Sequence, residues 1–348
     1  MKLVSKHSKN IKDYSICTIG SHSALQILKG AKDEGFKTIC ICFRDKTKPY
    51  ESFKVADKII EIDTIEEFFK VERDLMKKNV IVIPHGSFVS YLGHEKVKKI
   101  RMMHYGAKEI LEYESDRNKE RTWLEGAGLR MPKVFDTPEN IDRPVIVKFH
   151  GAKGGLGYFV AKSPDEFYEK MKKFPEHEED KDYAIQEYIL GVPIYIHYFY
   201  SKLNNELEIM SCDKRYESNA DSIGRIAAKD QLTADINASY TIIGNIPIVI
   251  RESLLPDLFK MGEDVVKESK KYVKGGLFGP FCLETIIKKD LRIFCFEISA
   301  RIVAGTNPYT NGSPYTWLRY NESMSTGRRI ARDIKEAIEK GKLEKVLG

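Results

Sequence analysis

The chain has 348 residues, too many for one compact core and enough for two or three modules. Apolar residues make up 42% and charged residues 31% of it, a composition typical of soluble globular proteins. The 57 basic and 51 acidic residues leave a formal charge of only +6, without a block of like charge or interleaved basic and aromatic stretches. This argues against a nucleic-acid partner and is compatible with an anionic small molecule.

The sequence also lacks the signals of export and of membrane insertion. No apolar run approaches the roughly 18 residues that span a bilayer, and no apolar signal core follows the first charged residues. We therefore expect a cytoplasmic protein without membrane association. The six cysteines lie mostly in apolar, strand-like runs and form no Cys-x-x-Cys pair, so buried, reduced thiols are expected.

The first hundred residues alternate between strand-like and helical patterns. Apolar runs predict four strands, and a helical pattern begins at Thr64. These strands are expected at residues 14–19, 38–43, 56–62 and 80–83. Such alternation predicts a parallel sheet covered by helices. Ligands of these sheets bind at the carboxyl ends of the strands, where the loops 20–23 and 85–87 lie.

The pattern changes after a charged helix predicted at residues 116–127. From Pro144 onward, strand-like runs dominate and few helices intervene, which predicts an α+β region with antiparallel sheets. We expect these strands at residues 145–149, 158–161, 183–188, 194–200, 208–211, 281–288 and 291–298. A loop and an amphipathic helix then close the chain.

A glycine-rich loop follows the apolar strand that ends near Lys148. Residues 150–157 include Lys153, Gly154, Gly155 and Gly157, and another strand follows. Glycines let backbone N–H groups approach a polyphosphate, and two lysines would supply charge for the same anion. The loop lacks Gly-Lys-Ser/Thr and no helix follows, so it is neither a P-loop nor a dinucleotide fingerprint. By itself it fits a glycine-rich hairpin with solvated lysines equally well.

Two glutamates lie inside apolar strands that flank a turn at residues 289–290. With a two-residue loop, position 284 faces position 295, so Glu284 and Glu297 become diagonal neighbours roughly 5 to 8 Å apart. Carboxylates this close repel unless a cation lies between them, and oxygen ligands suit magnesium. Alternatively, they are rim residues, one of them paired with Arg292 or Arg301. Acids inside otherwise apolar strands favour the metal site.

Five segments in this order make the sequence resemble the ATP-grasp superfamily. They are residues 116–133, the strand and glycine loop around Lys148, and residues 183–191, 279–284 and 296–301. The resemblance implies an α/β N-terminal domain with a parallel sheet, followed by an ATP-grasp α+β fold of two lobes. We expect the N-terminal domain at 1–115, the small lobe at 116–200 and the large lobe at 201–348.

The same resemblance implies the ATP and metal contacts. Adenine would be held by Gln186, Glu187, Tyr188 and Ile189, and phosphates by Lys148, Lys153, Gly154, Gly155 and Gly157. Magnesium, or manganese, would bind Glu284 and Glu297, while Arg301 would stabilise the transferring phosphoryl group. Many relatives hold the ribose with a glutamate after the hinge glycine, but Val192 follows Gly191 here, and Glu217 is the candidate replacement. Relatives often carry asparagine at the position of Ser299.

Finer features resemble the archaeal formate-dependent FAICAR (5-formaminoimidazole-4-carboxamide ribonucleotide) synthetases. They lie at residues 20–24, 84–87, 212–217, 244–247, 251–255 and 305–307. Those proteins formylate AICAR, an aminoimidazole carboxamide ribonucleotide of purine synthesis, with ATP and formate. The resemblance implies AICAR contacts by Gly20, Ser21, His22, Ser23, Ser87 and Asn245. Catalytic roles are expected for His22, Lys148 and Arg301, and a homo-oligomer is the expected assembly.

Other functions stay open at this point. The N-terminal candidates fit structural roles as well, His22 as a helix cap, Ser87 in a turn and Asn245 as a loop amide. A paralogous ATP-grasp ligase could join another carboxylate to another amine. A nucleotide-binding sensor without catalysis is the alternative of a different class, and the presence of both glutamates, both lysines and Arg301 argues against it.

Overall fold

The computed structural model describes residues 8–149, 158–174, 183–218, 225–233 and 241–348. These residues form three β-sheets with flanking helices. The glycine-rich loop lies outside the described residues, and with it Lys153, Gly154, Gly155 and Gly157. Within the described ranges, no helix combines the length and the apolar character needed to cross a membrane.

The N-terminal sheet is entirely parallel, with the strand order β3-β2-β1-β4-β5. Its strands are β1 (Ser15–Ile19), β2 (Lys37–Phe43), β3 (Lys58–Ile62), β4 (Val80–Val82) and β5 (Met103–His104). The accompanying helices are α1 (Ala24–Asp33), α2 (Lys48–Ser52), α3 (Phe68–Leu75), α4 (Gly86–Leu92), α5 (His94–Lys98) and α6 (Ile110–Ser115). The predicted parallel sheet is confirmed. The helix expected from Thr64 begins as a 3₁₀ turn at Ile65–Glu67 and becomes α-helical at Phe68.

A four-stranded antiparallel sheet, ordered β6-β9-β7-β8, forms the small lobe. Its strands are β6 (Val134–Phe135), β7 (Val145–Phe149), β8 (Tyr158–Ala161) and β9 (Tyr183–Glu187). Helix α8 (Pro164–Met171) packs in this lobe, whereas α7 (Arg117–Gly126), capped by the Asp116 side chain, contributes Trp123 and Leu124 to the core of the N-terminal domain and the large sheet. This lobe has its own apolar core, separate from the core shared by the N-terminal domain and the large sheet.

The large sheet is antiparallel and has the order β12-β11-β10-β13-β14. Its strands are β10 (Val192–Ser201), β11 (Glu206–Glu217), β12 (Ile242–Ile248), β13 (Gly279–Ile287) and β14 (Ile293–Ser299). The helices of this region are α9 (Ala228–Thr233), α10 (Leu255–Ser269), α11 (Pro314–Tyr320) and α12 (Thr326–Glu339). Strand β10, which the predicted division puts mostly in the small lobe, pairs with β11 and β13 of the large sheet.

Two strands of this sheet differ from the sequence prediction. Strand β11 has twelve residues, whereas the sequence predicts only four of them as strand. The sequence does not predict β12, because Gly244 and Pro247 interrupt its apolar pattern. Asn245, expected in a loop, lies in this strand. The structure accommodates Pro247 because β12 is an edge strand, where a missing ladder donor costs little.

The hairpin of β13 and β14 has a different register from the predicted one. Lys288 N donates to Arg292 O, so the loop has three residues, and Leu291 adopts a left-handed φ of 64°. A β-bulge after Glu284 shifts the pairing again, and Glu284 lies directly opposite Glu297. The shared face of the two glutamates is confirmed, but their predicted diagonal relationship is wrong.

Helix α12, near the end of the chain, crosses α1 of the N-terminal domain at very short range. A Cβ atom on Gly30 would lie 2.2 Å from Arg328 N, and one on Gly327 would lie 2.2 Å from Gln26 O. Only glycine permits backbones to approach this closely. The crossing is flanked by a half-buried ion pair between Glu34 and Arg328, 2.8 Å long. The helix crossing and this ion pair together hold the large lobe against the N-terminal domain.

We expect Gly327→Ala to destabilise the protein, because the new methyl group must displace the backbone of α1. Overpacking of this kind costs about 1–3 kcal/mol and would appear as a lower melting temperature. Gly244→Ala is the control, since a Cβ atom there meets nothing within 4 Å. Equal melting temperatures of the two variants would show that the close helix crossing does not constrain the fold.

Candidate active site

The two loops expected to bind a ligand meet at the carboxyl ends of β1 and β4. These strands are neighbours at the point where the strand order of the parallel sheet reverses, the usual ligand position in such folds. Ser21 Oγ donates to Ser87 Oγ over 3.0 Å. The rings of His22 and His85 stack with their centroids 5.4 Å apart. The loops 20–23 and 85–87 therefore form one surface.

Both histidines of this surface are held as neutral imidazoles. His85 is fully buried, its Nε2 lies 2.8 Å from Ile19 O, and its Nδ1 accepts from Phe88 N. Burial lowers the pKa of His85 to about 4. Burial lowers the pKa of His22 as well, and the electrostatic effect of His85, Arg301 and Arg215 lowers it further. His22 can therefore donate or accept a hydrogen bond near neutral pH, but it carries no charge.

One face of the large sheet lies opposite these loops. Residues two apart on a strand face the same side, so all five strands contribute side chains to this face. They are Tyr195 and His197, Asp213 and Arg215, Asn245, Cys282 and Glu284, and Glu297 and Ser299. Together with His22, Arg301 and residues 303–305 they line a cavity of about 190 Å³. The cavity thus lies between the N-terminal domain and the large lobe.

The glutamate pair is electrostatically unbalanced. Glu284 is only 2% exposed, and its Oε1 accepts from Arg215 over 2.6 Å. Its Oε2 has no hydrogen-bond partner among the described residues. Solvent reaches Glu297 through the cavity, yet protein surrounds its carboxyl group on most sides. Repulsion by Glu284, reinforced by burial, raises the pKa of Glu297 to about 7. A cation between the two would relieve this repulsion.

Two further glutamate side chains hold the strand that carries Glu297. Strand β14 is an edge strand, and helices α6 and α7 cover its free side. Glu120 Oε1 accepts from Ile298 N over 2.7 Å, and burial together with Glu297 raises the pKa of Glu120 to about 9. Glu114 accepts from Ala300 N over 2.8 Å and pairs with the Arg301 guanidinium at 2.9 Å. These contacts fix the position of Arg301 at the cavity wall.

The expected ATP contacts lie in and beside the small lobe. Lys148 Nζ donates to Gln186 Oε1 over 3.1 Å. Burial lowers the pKa of Lys148 while Glu297 acts in the opposite direction, so the amine lies within electrostatic range of the glutamate pair. Glu187 N donates to Lys133 O over 2.7 Å and Tyr188 N to Pro144 O over 2.9 Å, so neither N–H is available to adenine. The buried Ile189 is the next residue along this edge.

The structure brings some of the predicted site residues together at the cavity. His22, Asn245, Glu284, Glu297 and Arg301 line the cavity. Ser21, Ser23 and Ser87 lie beside His22. Glu217 ends β11, close enough to Tyr195 to influence its pKa. Gly20 serves packing, because a Cβ atom there would lie 2.8 Å from Cys42 Sγ and from the Tyr50 ring.

Among the cavity residues that sequence reasoning missed are His197, Asp213 and Arg215. Each lies on a strand whose other face packs apolar side chains into the core. In the sequence of such a strand, a single polar residue gives no clear signal of a site. The signal that could have found them is the spacing of two between Asp213 and Arg215. It indicates two charged side chains on one face of a strand that pairs with its neighbours throughout.

Comparison with known proteins assigns the chain to a family. A family model described as "Domain of unknown function (DUF1297)" matches residues 166–348, more than half of the chain, and "Protein of unknown function (DUF1246)" matches residues 16–135. The chain belongs to the family that the first of these models describes. A 5-formaminoimidazole-4-carboxamide-1-(beta)-D-ribofuranosyl 5'-monophosphate synthetase from Pyrococcus abyssi is 56% identical over 95% of this chain and 98% of the relative. The synthetase of the same name from Methanocaldococcus jannaschii is 46% identical over 100% of this chain and 98% of the relative.

Solved structures agree with the fold. The crystal structure of an IMP biosynthesis protein PurP from Thermococcus kodakaraensis superposes with a TM-score of 0.77 and 31% identity, over 96% of this chain and 100% of that one. The ADP complex of an N5-carboxyaminoimidazole ribonucleotide synthetase reaches a TM-score of 0.66 over 96% of this chain and 79% of that one, at 14% identity, which shows a shared fold alone. The expected ATP-grasp architecture is confirmed, and the chain belongs to the family of FAICAR synthetases.

Proposed function

We propose that this protein formylates AICAR to FAICAR with ATP and formate, through formyl phosphate, in the synthesis of purine nucleotides. The observation that carries the proposal is the cavity that His22 and Asn245 line together with the Glu284–Glu297 pair and Arg301. His22 and Asn245 offer neutral hydrogen-bonding groups, which suit an aminoimidazole carboxamide. The glutamates and Arg301 offer charges, which suit phosphoryl transfer. The names of the relatives support the same reaction.

The residues of the cavity fit a divalent cation with oxygen ligands. Glu284 has a buried oxygen without a partner in the described residues, and repulsion by Glu284, together with burial, raises the pKa of Glu297. We propose that these two side chains hold magnesium, or manganese, together with the phosphates of ATP. When bound, the cation neutralises phosphate charge and polarises the phosphoryl oxygens.

Formate needs activation because its carboxylate is anionic and resonance-stabilised. Attack of a formate oxygen on the γ-phosphorus of ATP forms formyl phosphate and releases ADP, which converts a poor leaving group into phosphate. Two anions must approach each other in this step. Arg301 and Arg215 at the cavity wall, with Lys148 from the small lobe, would stabilise the charge that develops.

The amine of AICAR then attacks the formyl carbon, and phosphate leaves. This amine is a weak nucleophile because its lone pair is conjugated with the imidazole ring, so orientation contributes much of the rate. The loop surface around His22 would hold the ribonucleotide while Asn245 contacts its ring substituents. A neutral His22 can accept a hydrogen bond from an amine or carboxamide, which a cationic imidazole cannot do.

The decisive experiment measures ADP release by the purified protein with magnesium and ATP. We expect turnover only when formate and AICAR are both present, with FAICAR identified by mass spectrometry. A ligase for other substrates would turn over with another carboxylate or amine and would leave AICAR unchanged. ATP binding without ADP release under every combination would indicate a nucleotide sensor and overturn the proposal.

Glu297→Gln is expected to abolish turnover and to stabilise the metal-free protein above pH 7. The folded-state pKa of Glu297 lies above its ordinary value, so the folded wild type loses stability as pH rises from about 4.5 through about 7. Glutamine carries no charge and avoids this loss. In EDTA, the melting temperature of Glu297→Gln should therefore exceed that of wild type by more at pH 8 than at pH 5.

Glu66→Gln is the control for this comparison, because Glu66 is exposed on the N-terminal domain, where its side chain keeps 68% of its accessible surface. It should change neither turnover nor the pH dependence of melting. Wild-type turnover by Glu297→Gln at saturating magnesium would refute the metal assignment.

His22→Asn is expected to weaken AICAR binding and to leave ATP-analogue binding unchanged. His22 has a φ of 52°, a left-handed conformation that asparagine tolerates better than alanine, so this change removes the imidazole with little backbone strain. One lost hydrogen bond at such a site costs about 1–3 kcal/mol, an affinity loss of about 5-fold to 150-fold. Calorimetric titration with each ligand measures both effects.

His94→Asn provides the matched control, since His94 is solvent-accessible and pairs only with its neighbour Glu95 among the described residues. Unchanged AICAR affinity in His22→Asn would show that His22 does not contact this substrate.

A further inference from the structure

A hydrogen-bonded chain of three polar side chains, two of them buried and the third half-buried, lines the cavity. His197 on β10 and Asp213 on β11 are each only 1% exposed. His197 Nε2 lies 2.7 Å from Asp213 Oδ1, and Asn245 Nδ2 on β12 donates to Asp213 Oδ2 over 2.7 Å. The three residues therefore join three adjacent strands through the two oxygens of one carboxylate.

The chemistry of a carboxylate determines how its two neighbours are oriented. An ionised carboxylate only accepts hydrogen bonds, so His197 must present Nε2–H and Asn245 must present its amide NH₂ group. An asparagine amide has a donor end and an acceptor end of almost the same shape, and only its partners decide between them. With the NH₂ group committed to Asp213, the carbonyl oxygen of Asn245 must point elsewhere. Asn245 lines the cavity, so this oxygen is available to a ligand there.

The segment after Arg301 covers this chain and makes it rigid. A Cβ atom on Gly305 would lie 2.1 Å from Asp213 Oδ1 and 2.7 Å from His197 Cε1, so the backbone of this segment packs directly on the pair. Tyr309 Oη donates to Cys212 O and accepts from Ile248 N, which ties β11 to β12 beside Asp213. Because His197 and Asp213 are only 1% exposed, a group of this chain that lost its partner would be costly to leave unpaired.

We infer that Asp213, oriented by His197, is a positioning residue that turns Asn245 into a hydrogen-bond acceptor for an N–H group of the ribonucleotide substrate. The inference rests on the proposed function and specifies which part of the substrate is read. The N–H group belongs to the carboxamide or to the amine of the ring. An acceptor at this position selects a carboxamide over the corresponding carboxylate, because two acceptors facing each other repel and both stay unpaired.

Asp213→Asn tests the inference, because it should reverse the amide of Asn245. The amide introduced at position 213 would accept from His197 with its oxygen and donate to Asn245 with its NH₂ group. The oxygen of Asn245 must then accept this hydrogen bond, and its own NH₂ group turns toward the cavity. We expect AICAR affinity to fall and affinity for the 4-carboxylate analogue to rise, so that their ratio falls at least about 10-fold.

The swapped variant Asp213→Asn with Asn245→Asp restores an acceptor that faces the cavity. The amide introduced at position 213 would donate to the carboxylate introduced at position 245, whose second oxygen takes the place of the original carbonyl. The ratio of AICAR to carboxylate affinity should return toward that of wild type. The single variant Asn245→Asp brings two carboxylates together and should weaken AICAR binding most. The swapped variant also tests the inference if Asp213→Asn folds poorly, because it keeps one amide hydrogen-bonded to one carboxylate.

Calorimetric titrations with AICAR, the 4-carboxylate analogue and an analogue without the ring amine supply the readout, and melting temperature and ATP-analogue affinity serve as controls. If wild type binds the carboxylate analogue much more weakly than AICAR, the contact is to the carboxamide. If wild type loses much affinity only with the analogue that lacks the amine, the contact is to the amine. In the second case, the ratio that must fall in Asp213→Asn is that of AICAR to the amine-free analogue. An unchanged ratio in the folded Asp213→Asn protein overturns this inference and leaves the proposed function standing. Absence of AICAR binding to wild type overturns both.

Discussion

The site depends on the face-to-face placement of Glu284 and Glu297. A three-residue loop and a β-bulge in the β13–β14 hairpin put these carboxylates directly opposite each other. Repulsion between them would push an unsupported edge strand away. Glu114 and Glu120, from helices α6 and α7, prevent this by accepting backbone N–H groups of the segment that carries Glu297. The two carboxylates are thus kept close together, and a cation bound between them would relieve their repulsion.

A second requirement is that the N-terminal loops stay opposite the large sheet. Helix α12 meets this requirement, because it contacts both parts. On one side it crosses α1 at its glycines. On the other side, the buried Arg329 donates to Glu208 of β11 over 3.0 Å, while Asp333 accepts from Tyr105 of the N-terminal domain and from Ser201 of β10. A charge network this deeply buried loses several kcal/mol if one partner is removed, so it favours one arrangement of the two parts.

The small lobe stands apart from the frame, which is the N-terminal domain together with the large sheet. Its apolar core is separate, whereas one continuous core joins the N-terminal domain to the large sheet. Lys148 and Gln186 belong to the small lobe, and the glutamate pair belongs to the frame. The proposed nucleotide contacts and the proposed metal contacts are thus divided between two bodies. ATP bound between them would bring Lys148 toward the same phosphates that the glutamates reach through a cation.

Much of the architecture and of the site was predictable from local patterns. The alternation of apolar runs and helical patterns predicts the parallel sheet, and the loops 20–23 and 85–87 follow from the ends of its strands. The acids in apolar strands predict that Glu284 and Glu297 share a face, because side-chain direction in a strand alternates with a period of two. These features depend on neighbours in the chain and on general rules of sheet geometry, so one sequence suffices.

Only the tertiary structure decided which distant residues meet. The β-bulge set the register of the glutamate pair, and pairing with β11 made a strand of the segment that carries Asn245, which was expected to be a loop. His197 and Asp213 entered the site because β10 and β11 pair in one particular register, which no local pattern specifies. Pairing between strands depends on contacts far apart in the chain, and a shift of one residue would turn every one of these side chains to the opposite face.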